Sequence, residues 1–297
     1  AMGEALRGLG KRVIIISGDS QIPASFRALP GVENIVPQNF LATDLSQFDT
    51  FVSLDSGSLS QISKLGDVVF PDHLRVIVID HHVTNEGYGH INLVDSSYPA
   101  TCQILSDIFE VWNVEITSSM ATCLLVGIYA DTGGFRYPPT DRRTFLTAAN
   151  LIERAPNIGG TLFAIENDNA PEVIAFESLM LQRIEVKGRV ALAGVTHDDL
   201  SAHGIGIEHT ASVRIANRLT SVKDWMIGAS LVEREPGKVS VSFRSRDANV
   251  YDVSQVADRI GGGGHKAAAG ALFRGTIAEA KGAVLAAVAE FYPELLE

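Results

Sequence analysis

Cysteine is nearly absent from this chain, and the two that occur, Cys102 and Cys123, lie inside apolar segments. They read as small buried hydrophobes, not as a disulfide framework, so a reducing cytoplasm is the expected setting. Long apolar runs are also missing. No stretch approaches the ~18 uninterrupted apolar residues of a membrane helix, and no basic, apolar, small-residue targeting signal opens the sequence. No membrane partner is therefore expected. Basic charge is scarce too: 24 Lys and Arg stand against 35 Asp and Glu, for a formal net charge of −11. Such a chain does not coat long duplex nucleic acid through a basic surface. Short phosphate-bearing substrates remain open to it, and bound divalent cations would offset acidic charge locally. Repeats and low-complexity tracts are lacking as well. What is present, 46% hydrophobic and 20% charged over 297 residues, suffices for two domains with their own cores.

Residues 1–155 alternate short uniformly apolar runs with helical periodicity. Val13–Ile16, Phe51–Leu54 and Val76–Ile79 read as strands buried on both faces, and the segments Thr101–Trp112, Ser118–Ala130 and Arg142–Arg154 read as helices. That order predicts an α/β domain with a mostly parallel sheet flanked by helices. A helical linker is expected over 156–186, with no internal strand. A smaller α+β domain follows over 187–297. It has a strand at Val190–Val195, a helix at Ser212–Leu219, a hairpin of Trp225–Val232 and Val239–Arg244 around Pro236-Gly237, a helix at Val253–Ile260, a strand at Ala267–Phe273 and a final helix at Ile277–Phe291.

In a parallel sheet, ligands bind beyond the carboxyl ends of the strands. Two such ends carry chemistry here. Phe51–Leu54 ends on Asp55, and Val76–Ile79 runs into Asp80-His81-His82. A third apolar segment, Leu124–Ala130, ends on Asp131. Taken alone, Asp55 suits a turn before Ser56-Gly57-Ser58, and Asp131 suits a helix end before Gly133-Gly134. Two consecutive histidines after a buried strand are harder to explain by packing. Together these residues point to a polynuclear site for Mn²⁺ or a similar ion, because hard divalent ions take carboxylates and Mn²⁺ also accepts imidazole. Two such ions polarise a phosphoryl group. Arg136, five residues after Asp131, either binds substrate or neutralises a carboxylate. Downstream, Gly261 to Gly264 end on His265. The run suits either a helix C-terminus with a flexible loop or, with Arg244 closing a strand, an anion pocket. Arg246 is balanced between that pocket and a solvated surface charge, and Asp95 caps or turns the chain before the helix at Thr101.

Val78-Ile79-Asp80-His81-His82, the preceding Asp55 and the segment Gly127 to Gly133 resemble the successive motifs of the DHH phosphoesterases. Ser242-Phe243-Arg244-Ser245 and Gly261 to Gly270 resemble those of the C-terminal DHH-associated domain. Within that family the chain looks like the bacterial nanoRNase and phosphoadenosine-phosphate phosphatase group, which includes cyclic-dinucleotide phosphodiesterases. The resemblance implies metal-dependent hydrolysis of short oligonucleotides, 3′-phosphoadenosine 5′-phosphate or linear and cyclic dinucleotides to mononucleotides. It implies two Mn²⁺ ions, Mg²⁺ being an alternative, with Asp55 bridging them and His81 and Asp131 as further ligands. Asp80 would orient a histidine, and His82 would face the scissile phosphate. Arg136, Arg244, Ser245, Gly262, Gly263, Gly264 and His265 would hold substrate. A homodimer through the larger domain would be ordinary for the family. The family also carries a histidine and two aspartates in a motif before its first helix. This chain opens within the matching helix, so those ligands are expected upstream, and the piece without them is expected to bind metal poorly and to lack activity. Two other readings compete: a non-catalytic nucleotide-binding relative, and a hydrolase of pyrophosphate.

Overall fold

Capped helices and short β-branched runs organise the first part of the chain. The structure, a computed structural model, describes residues 1–18, 22, 24–167, 169–210 and 213–297, the side chains of Ala24 and Ser25 excepted. Two compact units divide it at residues 168 and 169. The first contains α1 (Met2–Gly8), β1 (Ile15–Ile16), β2 (Ile35–Val36), β3 (Thr50–Leu54), α2 (Leu59–Ile62), β4 (Arg75–Asp80), β5 (Ile91–Val94), α3 (Thr101–Val111), α4 (Ser118–Asp131), α5 (Arg142–Ile152) and α6 (Ile158–Asn167). Strands β3, β4 and β5 form a parallel sheet in that order. Its register sets Leu54 beside Ile79 and Asp80 beside Val94, so the three carboxyl ends lie together. Strand β4 is central, and its Val76, Val78 and Ile79 are buried. These side chains, with Phe109, Met120, Leu124 and Ile128 of the covering helices, remove apolar area from water and fix the sheet. Thr117 caps α4 by accepting from the Met120 amide, and Asp141 and Thr144 form a capping box on α5.

The second unit contains α7 (Pro171–Gln182), β6 (Ile184–Lys187), β7 (Val190–Val195), α8 (His197–Ala202), α9 (Ile215–Ser221), β8 (Ile227–Glu235), β9 (Lys238–Ser245), α10 (Val253–Arg259), β10 (Gly263–His265), β11 (Ala268–Arg274) and α11 (Ile277–Phe291). Its sheet has the order β10-β11-β9-β8-β7-β6, antiparallel except for β7 and β8. Alternation sorts the side chains. Val190, Leu192, Ala229, Leu231, Val241 and Phe243 pack with α10 and α11, whereas Ala191, Ala193, Val195 and Val232 pack with α7, α8 and α9.

A parallel sheet flanked by helices, followed by a smaller α+β unit, is the architecture that the patterning predicts. The differences have local causes. Only Ile15 and Ile16 of the Val13–Ile16 run pair as strand, and the described residues between there and β3 include β2 and short 3₁₀ turns. Strand β5 is not among the expected strands; its four residues are too few to show a period. Strand β6 begins inside the stretch 156–186, which otherwise forms α6 and α7. The expected helix at Ser212–Leu219 is observed at Ile215–Ser221, and Ser212 lies outside the described residues. Among the described residues no helix is long and apolar enough to cross a membrane.

Candidate active site

Parallel pairing brings Asp55 and Asp80 to neighbouring strand ends. Asp55 follows β3 with φ 59°, a left-handed conformation that Asp adopts more readily than most residues. Its amide donates to the Ile79 carbonyl of β4 at 3.0 Å, and its Oδ1 accepts from Thr101 Oγ1 at 2.7 Å. The strained turn is thereby held at both ends, and the carboxylate projects beside the histidines. His81 Nε2 stands 3.5 Å from Asp55 Oδ1, and His82 Nδ1 stands 3.8 Å from the same oxygen.

Asp80 is fully buried, and its oxygens are spent on the protein. Oδ1 accepts from the His81 amide at 2.7 Å, the His82 amide at 3.2 Å and His82 Nδ1 at 2.7 Å. Oδ2 accepts from Asn85 Nδ2 at 2.6 Å. Burial acts to raise the Asp80 carboxyl, but the bonds from Asn85 and His82 outweigh it and hold the group below the usual carboxylate range. Asp80 therefore acts through His82. With Nδ1–H donated to Asp80, the His82 ring presents Nε2 away from the carboxylate. His81 is oriented by a different acceptor. Its Nδ1 donates to the Tyr98 carbonyl at 3.2 Å, which leaves Nε2 with its lone pair toward Asp55. Tyr98 is itself clamped: its hydroxyl donates to Asp107 at 2.7 Å, and Arg143 lies over the ring at 4.1 Å while pairing with Asp107.

One donor atom from each of Asp55, Asp80, His81 and His82 lies within 4.8 Å of the others. Asp131 stands outside that tight group but faces it. Desolvation, then the Asp55 charge, pushes its carboxyl up to about 6, partly offset by His81 and His82. It also ends α4, where the helix dipole disfavours negative charge. Two carboxylates that repel each other beside an imidazole lone pair form a donor set that fits a hard divalent cation: Asp55, His81 and Asp131 would hold it. Arg136 does not reach the cluster through its Nε, which donates to the Gly133 carbonyl of its own turn.

In the second unit the register sets His265, Ala268, Arg244 and Gly228 side by side, so Arg244 and His265 share a face two strands apart, about 10 Å. Ser245 is not on that face. It pairs with the core residue Ile227, and its hydroxyl is buried without a hydrogen-bond partner. The glycine run is an edge strand, not a loose loop. Gly261, at φ 80°, ends α10, and the Gly262 amide returns to the Ala257 carbonyl at 2.8 Å. A Cβ on Gly262 would meet the Gly270 carbonyl oxygen at 2.2 Å, and one on Gly264 would meet Ala269 Cα at 2.6 Å. Gly263 alone of these three faces open space. Arg246 donates to the Thr220 and Val222 carbonyls at the end of α9, a structural role. Asp95 makes a turn, accepting from the Ser97 amide at 2.9 Å.

Thr101, Asn85 and the Tyr98 carbonyl escape sequence reasoning. Thr101 lies 46 positions from its partner, a backbone carbonyl carries no residue signature, and only the closeness of Asn85 to the histidines offered a signal.

The DHH family, N-terminal domain, matches residues 6–128, and the DHHA1 domain matches residues 189–294. The bifunctional oligoribonuclease and PAP phosphatase NrnA of Thermus thermophilus is 30% identical over 272 residues, 91% of this chain and 78% of that protein. The probable bifunctional oligoribonuclease and PAP phosphatase NrnA of Streptococcus mutans is 29% identical over 66% of this chain and 62% of its own length. The crystal structure of an exopolyphosphatase-related protein from Bacteroides fragilis superposes with a TM-score of 0.89 at 22% identity, covering 99% of this chain and 87% of that one, a likeness of fold.

Proposed function

The chain belongs to the DHH family and carries a C-terminal DHHA1 domain, and on that footing we propose that it is a phosphoesterase hydrolysing short oligonucleotides and small nucleotides to mononucleotides. The observation that carries the reading is the Asp55–Asp80–His81–His82 cluster at the ends of parallel strands. We assign Asp55, His81 and Asp131 to a divalent metal, Mn²⁺ by the mixed carboxylate and imidazole donors, with two ions when the family's full ligand set is present. Bound there, the metal would supply charge stabilisation at the phosphoryl group. Asp80 fixes the His82 ring, and His82 Nε2 is the group set to hydrogen-bond a phosphate oxygen. Asn85 and Tyr98 keep both imidazoles in their tautomers, so no reorganisation accompanies substrate binding.

Residues 1–155 are assigned the chemistry, 156–186 the link, and 187–297 the holding of substrate. In the last, Arg244 offers a planar fork for phosphate, and the open Gly263 lets a ligand approach the backbone. His265 shares the Arg244 face, and Gly262 and Gly264 shape the strand beside it. Ser245 has a structural place, and Arg136 contributes charge only. A homodimer and a cytoplasmic setting suit this reading; the two free cysteines tolerate a reducing compartment.

The test is a panel of a dinucleotide, 3′-phosphoadenosine 5′-phosphate, a cyclic dinucleotide and pyrophosphate, assayed with Mn²⁺ on the full-length gene product. Release of nucleoside monophosphate is expected. Turnover of pyrophosphate alone, or tight nucleotide binding with no turnover, contradicts the reading.

A further inference from the structure

Glycine is the poorest helix former after proline, so a glycine well inside a helix calls for a reason. Gly127 lies inside α4, one turn before Asp131 and on the same face of the helix. A Cβ at this position would stand 2.2 Å from Cys102 Sγ and 3.0 Å from Cys102 Cβ. Packed side chains do not approach so closely, so the backbone of α4 passes the thiol at a distance that glycine alone allows. Cys102 is the second residue of α3, and the pair marks a close approach of the two helices.

That approach sits amid the residues assigned to the cation. Thr101, next to Cys102, donates to Asp55 Oδ1 at 2.7 Å. The Tyr98 carbonyl, just upstream, accepts from His81 Nδ1 at 3.2 Å. The start of α3 thus holds Asp55 and His81 by hydrogen bonds, and it meets the last turns of α4, which carry Asp131, through Cys102 and Gly127. Desolvation, then the charges of Asp131 and Asp55, pushes the Cys102 thiol up to about 12. The thiol stays protonated at neutral pH, and what it contributes is bulk. A methyl group on Gly127 would push α4 from α3, and Asp131 from Asp55 and His81.

We propose that the Cys102–Gly127 contact is the spacer of the cation site: it sets the separation of Asp131 from Asp55 and His81, and with it the size of cation that the three can hold together. Gly127 and Cys102 are positioning residues that act through Asp131. The inference rests on the assignment of those three residues to a cation, made above. Site size separates Mg²⁺, which takes oxygen ligands at about 2.0–2.1 Å, from Ca²⁺, which takes them at about 2.3–2.6 Å.

The experiment is Mn²⁺ titration of the full-length gene product, read by loss of the free-ion electron paramagnetic resonance signal, followed by displacement of bound Mn²⁺ with Mg²⁺ and with Ca²⁺. Gly127→Ala should weaken Mn²⁺ uptake by about tenfold, the scale of a lost ligand support, and shift the displacement in favour of Ca²⁺. Cys102→Met presses on the same contact from α3 with a flexible chain. It should give the same shift in smaller measure, and it carries the test where Gly127→Ala does not fold. Moving the bulk across the interface, with Cys102→Ala and Gly127→Ala together, should recover most of the uptake, because the 2.2 Å clash is removed and only the 3.0 Å contact remains. In an Asp131→Asn background, Gly127→Ala should weaken uptake no further. A Gly127→Ala protein with a lowered melt but unchanged uptake and unchanged ion preference overturns the spacer. So does an equal loss in the Asp131→Asn background, or a swap that recovers nothing. An Asp131→Asn protein that takes up Mn²⁺ as wild type does removes Asp131 from the site and the spacer with it. Hydrolysis of a dinucleotide, assayed in parallel, separates the spacer from the function. A spacer effect in a protein that hydrolyses nothing keeps the inference and removes the function. Hydrolysis with uptake indifferent to Gly127 does the reverse.

Discussion

The strand ends around Asp80 and the glycine strand around Gly263 are built on opposite plans. In the first, the polar groups at the strand ends are held by others: Asp80 by two amides, His82 and Asn85; His81 by the Tyr98 carbonyl; Asp55 by Thr101. In the second, side chains have been removed so that backbone can pack on backbone, and Gly263 is left facing open space. The first plan fixes donors before a ligand arrives. The second leaves room and charge for a ligand to fill. Chemistry needs orientation, which hydrogen-bond networks supply; holding a variable substrate needs access, which glycine and exposed arginine supply.

Asp80→Ala probes the first plan most severely. It leaves the His82 ring, Asn85 and two amides without their acceptor in a buried site. It should lower stability by about 3 kcal/mol in thermal or urea melts and lower kcat by about 100-fold at least. If kcat persists, orientation of His82 is not what Asp80 does. Gly264→Ala is the matching change in the second plan. With φ 143° and a backbone contact at 2.6 Å, the added methyl should destabilise the second unit by about 2–4 kcal/mol. Asn85→Ala should cost about 10-fold in kcat and about 1 kcal/mol, since Asp80 keeps its other donors. Gly263→Ala sharpens the contrast within one strand. The melt should stay within about 0.5 kcal/mol, because nothing crowds that position, while nucleotide binding by calorimetry weakens. A destabilised melt would mean that the glycine run is entirely a packing device. Arg246→Ala should act on stability alone: about 1 kcal/mol from the uncapped end of α9, with nucleotide affinity unchanged.

Legibility in the sequence followed the same division. Strand β4 was readable because four consecutive β-branched residues buried on both faces leave few other solutions. Its terminal Asp-His-His was readable because packing offers no reason for it. The helices α3, α4, α5 and α11 followed from periodicity, to within two residues at each end. What stayed hidden was made by distance or by backbone. The Thr101–Asp55 bond joins strand to helix across 46 positions, and the acceptor for His81 is a carbonyl. Strand β10 was hidden because glycine has no side chain whose alternation could announce a strand, and its need for glycine is visible only against β11. Ser245 shows the limit of motif reading: adjacent to Arg244 in sequence, it is turned by strand alternation onto the core face.

The central claim is that Asp55 and His81 present a preformed donor set to a divalent cation. Titration of the full-length gene product with Mn²⁺, following loss of the free-ion electron paramagnetic resonance signal, measures this without reference to turnover. Wild-type protein should deplete the signal stoichiometrically, and Asp55→Asn and His81→Ala should each weaken uptake by about 10-fold or more while the fold melts cooperatively. Equal uptake by wild type and both variants would contradict the account.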